Sequence, residues 1–254
     1  MKAPAHSVIG VRNLIILLQK KFLAYASVCL CAVLAVLCML THGGHPAFRA
    51  EELRVPPVIV IDAGHGGEDG GAVAADGTAE SGINLAIAQD LDEIFRFLGY
   101  ETRMTRTEDA AIYSAGMQTL REKKASDLKN RVALVNETQR AVLLSIHQNS
   151  LPSSRRVHGA QTFYARTEGS VPLAQAIQAS LNTAVNSGNE KNEKAIDPGV
   201  YLMKHVNCPA VLVECGFLSN EAETAKLLRA DYQCTLAVTI AAGFLMGLSA
   251  QTTT

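Results

Sequence analysis

The chain has 254 residues, with 23 lysines and arginines against 24 aspartates and glutamates, 48% hydrophobic residues and no tryptophan. That length fits one sizeable domain with an appendage, and the apolar share is ample for a buried core. A formal net charge of -1 excludes a nucleic-acid partner drawn by bulk charge, and the scarcity of aromatic residues argues against a stacking platform for bases or sugars.

The first fifty residues differ from the rest. From Phe22 to Leu40 the chain reads FLAYASVCLCAVLAVLCML, about 19 uncharged residues where ~20 span a bilayer as a helix. Lys2, Arg12, Lys20 and Lys21 precede it with no acidic residue among them, so positive charge keeps the N-terminal side cytoplasmic and everything after Thr41 outside. The expected layout is a short basic cytoplasmic segment at 1–21, a signal-anchor or signal peptide at 22–40 and a linker at 41–57. His45-Pro46-Ala47 and Phe48-Arg49-Ala50 place large residues where a cleavage site needs small ones. An uncleaved anchor is therefore favoured, with secretion the outcome if the segment is cut.

The domain proper is expected over 58–249, followed by a tail at 250–254. Short apolar runs predict strands at Val58–Asp62, Thr102–Arg106, Ala141–Ile146, Ala160–Ala165, Gly199–Met203 and Ala210–Glu214. Between them, Ile87, Leu91, Ile94, Phe95 and Leu98 recur at helical spacing and stop at Gly99. Leu128, Val132 and Val135 repeat the pattern with Asp127 near the helix start, Pro172 opens another helix through Leu181, and Tyr232–Leu248 forms a last apolar one. The polar stretch Asn186–Asp197 reads as a loop over a sheet edge. This alternation predicts an α/β fold of three layers, a mixed central sheet of about six strands flanked by helices, preceded by the N-terminal membrane segment. Cys208, Cys215 and Cys234 are odd in number and lack CxxC spacing, which predicts buried free thiols.

Strand ends carry the chemistry. VIVIDAGH and AVLLSIH deliver His65 and His147 beyond a carboxyl edge, AVLVE delivers Glu214, and Glu80 opens the helix after the glycine loop GHGGEDGG. Crevices at such edges are where α/β sheets build sites. Two histidines and one carboxylate make a three-ligand zinc set with room for water; a further carboxylate must then move the proton, and Glu214 fits. Singly, each residue has a bland alternative: His65 as a turn residue, His147 as a satisfied core histidine, Glu80 as a favourable helix N-terminal charge. Convergence of all four weighs against those alternatives. Asp69, Arg131 and Asn149 are candidates for orienting the ligands or meeting substrate, with a structural salt bridge equally open to Arg131, while His158 and His205 are expected at the surface.

IDAGHGGEDGGA, Glu80 followed by INLA, SIHQNS and VECGFLSN together resemble the zinc-dependent N-acetylmuramoyl-L-alanine amidases of the amidase 3 type, over nearly all of Val58–Leu248. The resemblance implies one Zn2+ per chain on His65, Glu80 and His147, with Glu214 as the catalytic glutamate, hydrolysing the amide between N-acetylmuramic acid and L-alanine of peptidoglycan stem peptides. SDLKNRVALVN, GAQTFYA and CPAVLVECGFLSN further resemble the germination-specific amidases of spore-forming bacteria. That branch implies action in spore cortex synthesis, coupled to a muramic acid deacetylase that forms the lactam. A vegetative cell-separation amidase and a non-catalytic peptidoglycan-binding scaffold are the alternatives. One departure stands out: relatives often carry Lys-Asp after the glutamate ligand, whereas Ser81 and Gly82 follow Glu80 here.

Overall fold

The computed structural model describes residues 55–251. The expected segments 1–21 and 22–40, nearly all of the linker 41–57 and the last three residues of the tail 250–254 lie outside the described residues. Residues 56–254 form one compact unit.

Six strands, β1 (Val58–Ala63), β2 (Thr102–Met104), β3 (Ala141–Asn149), β4 (Gln161–Tyr164), β5 (Lys194–Ala195) and β6 (Ala210–Phe217), form a single sheet in the order β2-β1-β3-β6-β4-β5. β1 runs parallel to β2 and β3, and β3 parallel to β6. β4 is antiparallel to β6 and parallel to β5, so the sheet is mixed as expected. Helices α1 (Glu80–Phe97), α2 (Leu120–Glu137), α3 (Ser170–Ala184), α4 (Tyr201–His205), α5 (Glu221–Leu227) and α6 (Ala230–Gln251) complete the fold.

The central strands are apolar at nearly every position because helices cover both faces. Alternation sorts the side chains. Ile59, Ile61, Leu144 and Val213 meet Leu91 and Phe95 of α1, Ile177 of α3 and Ile240 and Phe244 of α6. Val60, Leu143 and Leu212 point the other way, toward Val135 of α2 and Leu202 and Met203 of α4. Among the described residues α6 alone is long and apolar enough to cross a membrane, yet its Leu236, Ile240 and Phe244 are core residues of the first layer.

Several expectations need correcting. Gly199–Met203 is not a strand: Tyr201–His205 is a helical turn whose Leu202 and Met203 bury beneath the sheet, and adjacent apolar residues there mimic a strand. The sixth strand is β5, inside the stretch expected to be loop; its two residues are both exposed and leave no apolar signature. α2 starts earlier than expected, because Thr119 and Glu122 form a reciprocal capping box, which leaves Asp127 in mid-helix. Cys208 and Cys215 are buried thiols, but Cys234 lies exposed on α6.

Candidate metal centre

The sheet's register brings the strand-end residues together. His147 and Glu214 are direct partners across β3 and β6, and alternation turns both toward the α2 and α4 side. His65 follows β1 by two residues and Glu80 is the first residue of α1. His147 Nδ1 lies 2.9 Å and His65 Nε2 3.5 Å from the same oxygen, Glu80 Oε1. One donor atom from each residue falls within 4.8 Å of the other two. Donors at 2.0–2.1 Å around a tetrahedral zinc stand about 3.3 Å apart, so this N, N, O set fits such an ion. The two rings meet edge-on, at 79° with centroids 5.1 Å apart.

Glycine makes this convergence possible. A Cβ at Gly64 would clash with the His147 imidazole, and one at Gly71 would strike Glu80 Oε2 and His65 Cδ2. His65 itself holds a left-handed backbone, φ 60°, which costs a non-glycine residue roughly 1–3 kcal/mol and persists only where the surroundings impose it. Those surroundings are two arginines. Arg131 donates to the carbonyls of Ala63 at 2.8 Å and His65 at 2.8 Å, and Arg106 donates to Ala63 at 2.9 Å and Gly64 at 3.0 Å.

The two glutamates are held differently. Glu80 accepts from the Ala72 backbone at 2.8 Å, from Asn84 at 3.0 Å and from the Gln148 backbone at 3.1 Å. Burial would raise its carboxyl, but the His147 hydrogen bond and the charges of both histidines outweigh that and bring it down to about 2. Glu214 has a buried oxygen, Oε2, with no hydrogen-bond partner. Burial lifts its carboxyl to about 7, His147 opposing and the Glu80 charge adding to the rise. For His147, burial pulls the pKa down but the hydrogen bond and charge of Glu80 turn the net shift upward.

Around these groups, His65 Nδ1 lies 3.0 Å from Asp69 Oδ2, fixing the imidazole with Nε2 facing Glu80. Arg131 is 2% exposed and ion-paired to Asp62 at 2.6 Å and Asp127 at 2.7 Å, the salt bridge that the sequence left open. Burial would raise Asp62, yet Arg131, His147 and the Ser145 hydroxyl together lower it to about 2. The Asn149 side chain accepts from the Ser150 backbone and its carbonyl from Leu218, tying the ends of β3 and β6 together. His158 and His205 are exposed, away from this cluster.

Sequence reasoning passed over Asn84, Gln148, Arg106 and Asp62. Asn84 donates to both Glu80 Oε1 and Gly64 O and accepts from Gln148 Nε2. A polar residue one helical turn after Glu80, between Ile83 and Ile87 in a buried stripe, is the signal that could have found it. Asp62 closes an apolar run as Glu214 does, and the same argument applies to both. Beside the donors lies a cleft of about 350 Å³ whose walls include Lys124 and Leu128 of α2 and Val200 and Tyr201 at the start of α4. His65 and His147 side chains are 21% and 19% exposed against 4% for Glu80, so the imidazoles are open to solvent while the carboxylate is sealed.

Comparison with known proteins identifies the family. The family described as N-acetylmuramoyl-L-alanine amidase matches residues 59–245. The germination-specific N-acetylmuramoyl-L-alanine amidase of Bacillus subtilis is 34% identical over 189 residues, covering 74% of this chain and 78% of its own. The CwlD amidase of Clostridioides difficile, solved in complex with the GerS lipoprotein, superposes with a TM-score of 0.73 at 38% identity, over 77% of this chain and all (100%) of that one. An N-acetylmuramoyl-L-alanine amidase from Clostridium difficile 630 gives a TM-score of 0.67 at 30% identity, over 77% and 98%.

Proposed function

We propose, from the premise that this chain belongs to the N-acetylmuramoyl-L-alanine amidase family, that its amidase activity on peptidoglycan depends on one zinc ion held by His65, Glu80 and His147. The observation that carries the reading is the convergence of three ligand-type atoms beside a carboxylate with an unpartnered buried oxygen. Bound zinc would supply a Lewis acid that polarises the scissile carbonyl and acidifies the attacking water. The rest of the chemistry belongs to the chain. Glu214, near neutrality in its affinity for protons, takes the proton from the water and returns it to the leaving amino group of L-alanine. Asp69 keeps His65 in one tautomer, Arg131 holds the turn beneath it, and Asn149 secures the strand end behind His147 through its carbonyl.

The finer biological reading rests on resemblance. We assign the enzyme to spore cortex synthesis, where removing the stem peptide leaves muramic acid open to a deacetylase and lactam formation; the B. subtilis relative is named germination-specific. In this reading residues 22–40 anchor the protein with residues 58–249 outside the membrane, where the glycan lies. A lipoprotein partner, as in the CwlD complex, fits a membrane-apposed enzyme. The test is digestion of purified sacculi with and without a chelator, followed by mass analysis of the fragments. Free peptide beginning with alanine, abolished by the chelator and restored by zinc, is the expected result. Peptides shortened from their C-termini, or deacetylated sugars, would replace this reading with another hydrolase.

A further inference from the structure

Arg106 follows β2 and is 4% exposed. Its guanidinium spends every visible hydrogen bond on main-chain carbonyls: Nε to Ala63 at 2.9 Å, Nη2 to Gly64 at 3.0 Å and to Ser81 at 2.8 Å, and Nη1 to Glu108 at 3.0 Å. Among the described residues it forms no ion pair of its own, whereas Arg131 beside it binds both Asp62 and Asp127. The four buried groups, two cationic and two anionic, balance as a set. Desolvating a guanidinium is costly unless its donors are met, and lysine lacks the fork of donors that reaches carbonyls in separate segments.

The choice of carbonyls is informative. Gly64 immediately precedes His65, and Ser81 immediately follows Glu80. One nitrogen, Nη2, therefore bridges the chain beside one imidazole and the chain beside the carboxylate it faces. Asn84 makes the parallel link on the other side, joining Gly64 O to Glu80 Oε1. We propose that Arg106 is a positioning residue whose guanidinium sets the spacing between the His65 turn and the N-terminal end of α1, and with it the affinity of the site for a divalent metal. This rests on the metal-binding reading above.

The experiment uses the full-length chain in detergent, stripped with a chelator and titrated with Zn2+ against a chromophoric competitor and with Co2+ by visible absorption. Arg106→Lys and Arg106→Gln are compared with wild type and with Leu236→Ala, a core change in the α6 layer that lowers thermal stability away from the site. Both Arg106 variants should bind Zn2+ about 10–100-fold more weakly and shift the Co2+ absorption bands, while Leu236→Ala binds as wild type does. Arg106→Lys keeps the charge and most of the side-chain volume, which preserves the comparison should the glutamine variant unfold. Zn2+ affinity within twofold of wild type in a folded Arg106 variant overturns the proposal, as does an equal weakening in Leu236→Ala. Absence of one-to-one Zn2+ binding by the wild-type protein is a separate result, and it removes the metal-binding reading itself.

Discussion

Glu80 and Glu214 are carboxylates in one cleft, yet their surroundings drive them apart. Three donors and two imidazoles keep Glu80 ionised, at about 2, while burial and the charge of Glu80 raise Glu214 to about 7. Two titrating groups separated in this way mark a division of labour, one fixed in charge and the other able to exchange a proton. Replacing Glu214 by glutamine should therefore cost about 10²–10⁴-fold in turnover and leave metal stoichiometry unchanged; wild-type release of stem peptide by the variant would remove Glu214 from the mechanism. The same substitution has a signature in stability. Glu214 is raised from its ordinary 4.5 to about 7 in the folded chain, so the metal-free protein binds more protons folded than unfolded between those values. Its contribution is present in full below about pH 4.5 and is lost as pH climbs through about 7. In chelator-stripped protein the stability difference between Glu214→Gln and wild type should thus widen in the variant's favour over that window, measured by urea unfolding at several pH values.

Elements place these residues, and the turn after β1 is the most constrained of them. Gly64 faces the His147 ring so closely that any side chain would displace it, whereas a Cβ at Gly82, within α1, would meet nothing within 4 Å. Gly64→Ala should weaken Zn2+ binding on the order of 10–100-fold, as loss of ligand support does. Gly82→Ala should leave binding alone and stabilise the helix by up to about 1 kcal/mol. Equal metal affinity in the two alanine variants would contradict the close approach of Gly64 to the imidazole. The strands that carry the site were legible because a sheet covered on both faces writes itself as nearly unbroken apolar runs, VIVI, AVLLSI and AVLV, followed by Asp62, His147 and Glu214. α4 and β5 were not, since five and two residues are too few for a period to declare itself. The donors could be read from strand ends and a helix start, and Asp69 from its place beside His65, but the other supports could not. Arg106 in a short strand segment reads as a solvated charge, and its carbonyl partners have no side-chain identity to betray them. Asn149 was singled out for its nearness to His147 in sequence; it sits at an irregularity in the β3–β6 register, where its side chain accepts from the Ser150 backbone. Gln148, on the opposite face, meets Asn84 instead.

At the scale of the molecule, two apolar stretches compete for the part of membrane anchor, residues 22–40 and α6. Length and hydropathy alone admit α6. Packing argues otherwise: Leu236, Ala237, Ile240, Ala241 and Phe244 are buried with residues of α1 and α3, so moving α6 into a bilayer would take one of three helices from that layer and expose the core it covers to water. Exposing a buried Leu, Ile or Phe costs about 1.5–3 kcal/mol, so losing Leu236, Ile240 and Phe244 from the core, with the partners they cover, costs an amount comparable with the roughly 5–15 kcal/mol that holds a domain folded. In the reading proposed above, the part of anchor therefore goes to residues 22–40 rather than to α6, and catalysis to the compact unit that carries the cleft. Deleting residues 1–55 should give a soluble protein with the same kcat on soluble muropeptides as the full-length chain in detergent, and with a cooperative melting transition. The full-length chain should sediment with membranes and resist extraction by high salt, which strips proteins held only by charge. Recovery of the truncated protein in the membrane fraction would return the role of anchor to α6, and loss of its cooperative melting would show that the core reaches into the first 55 residues.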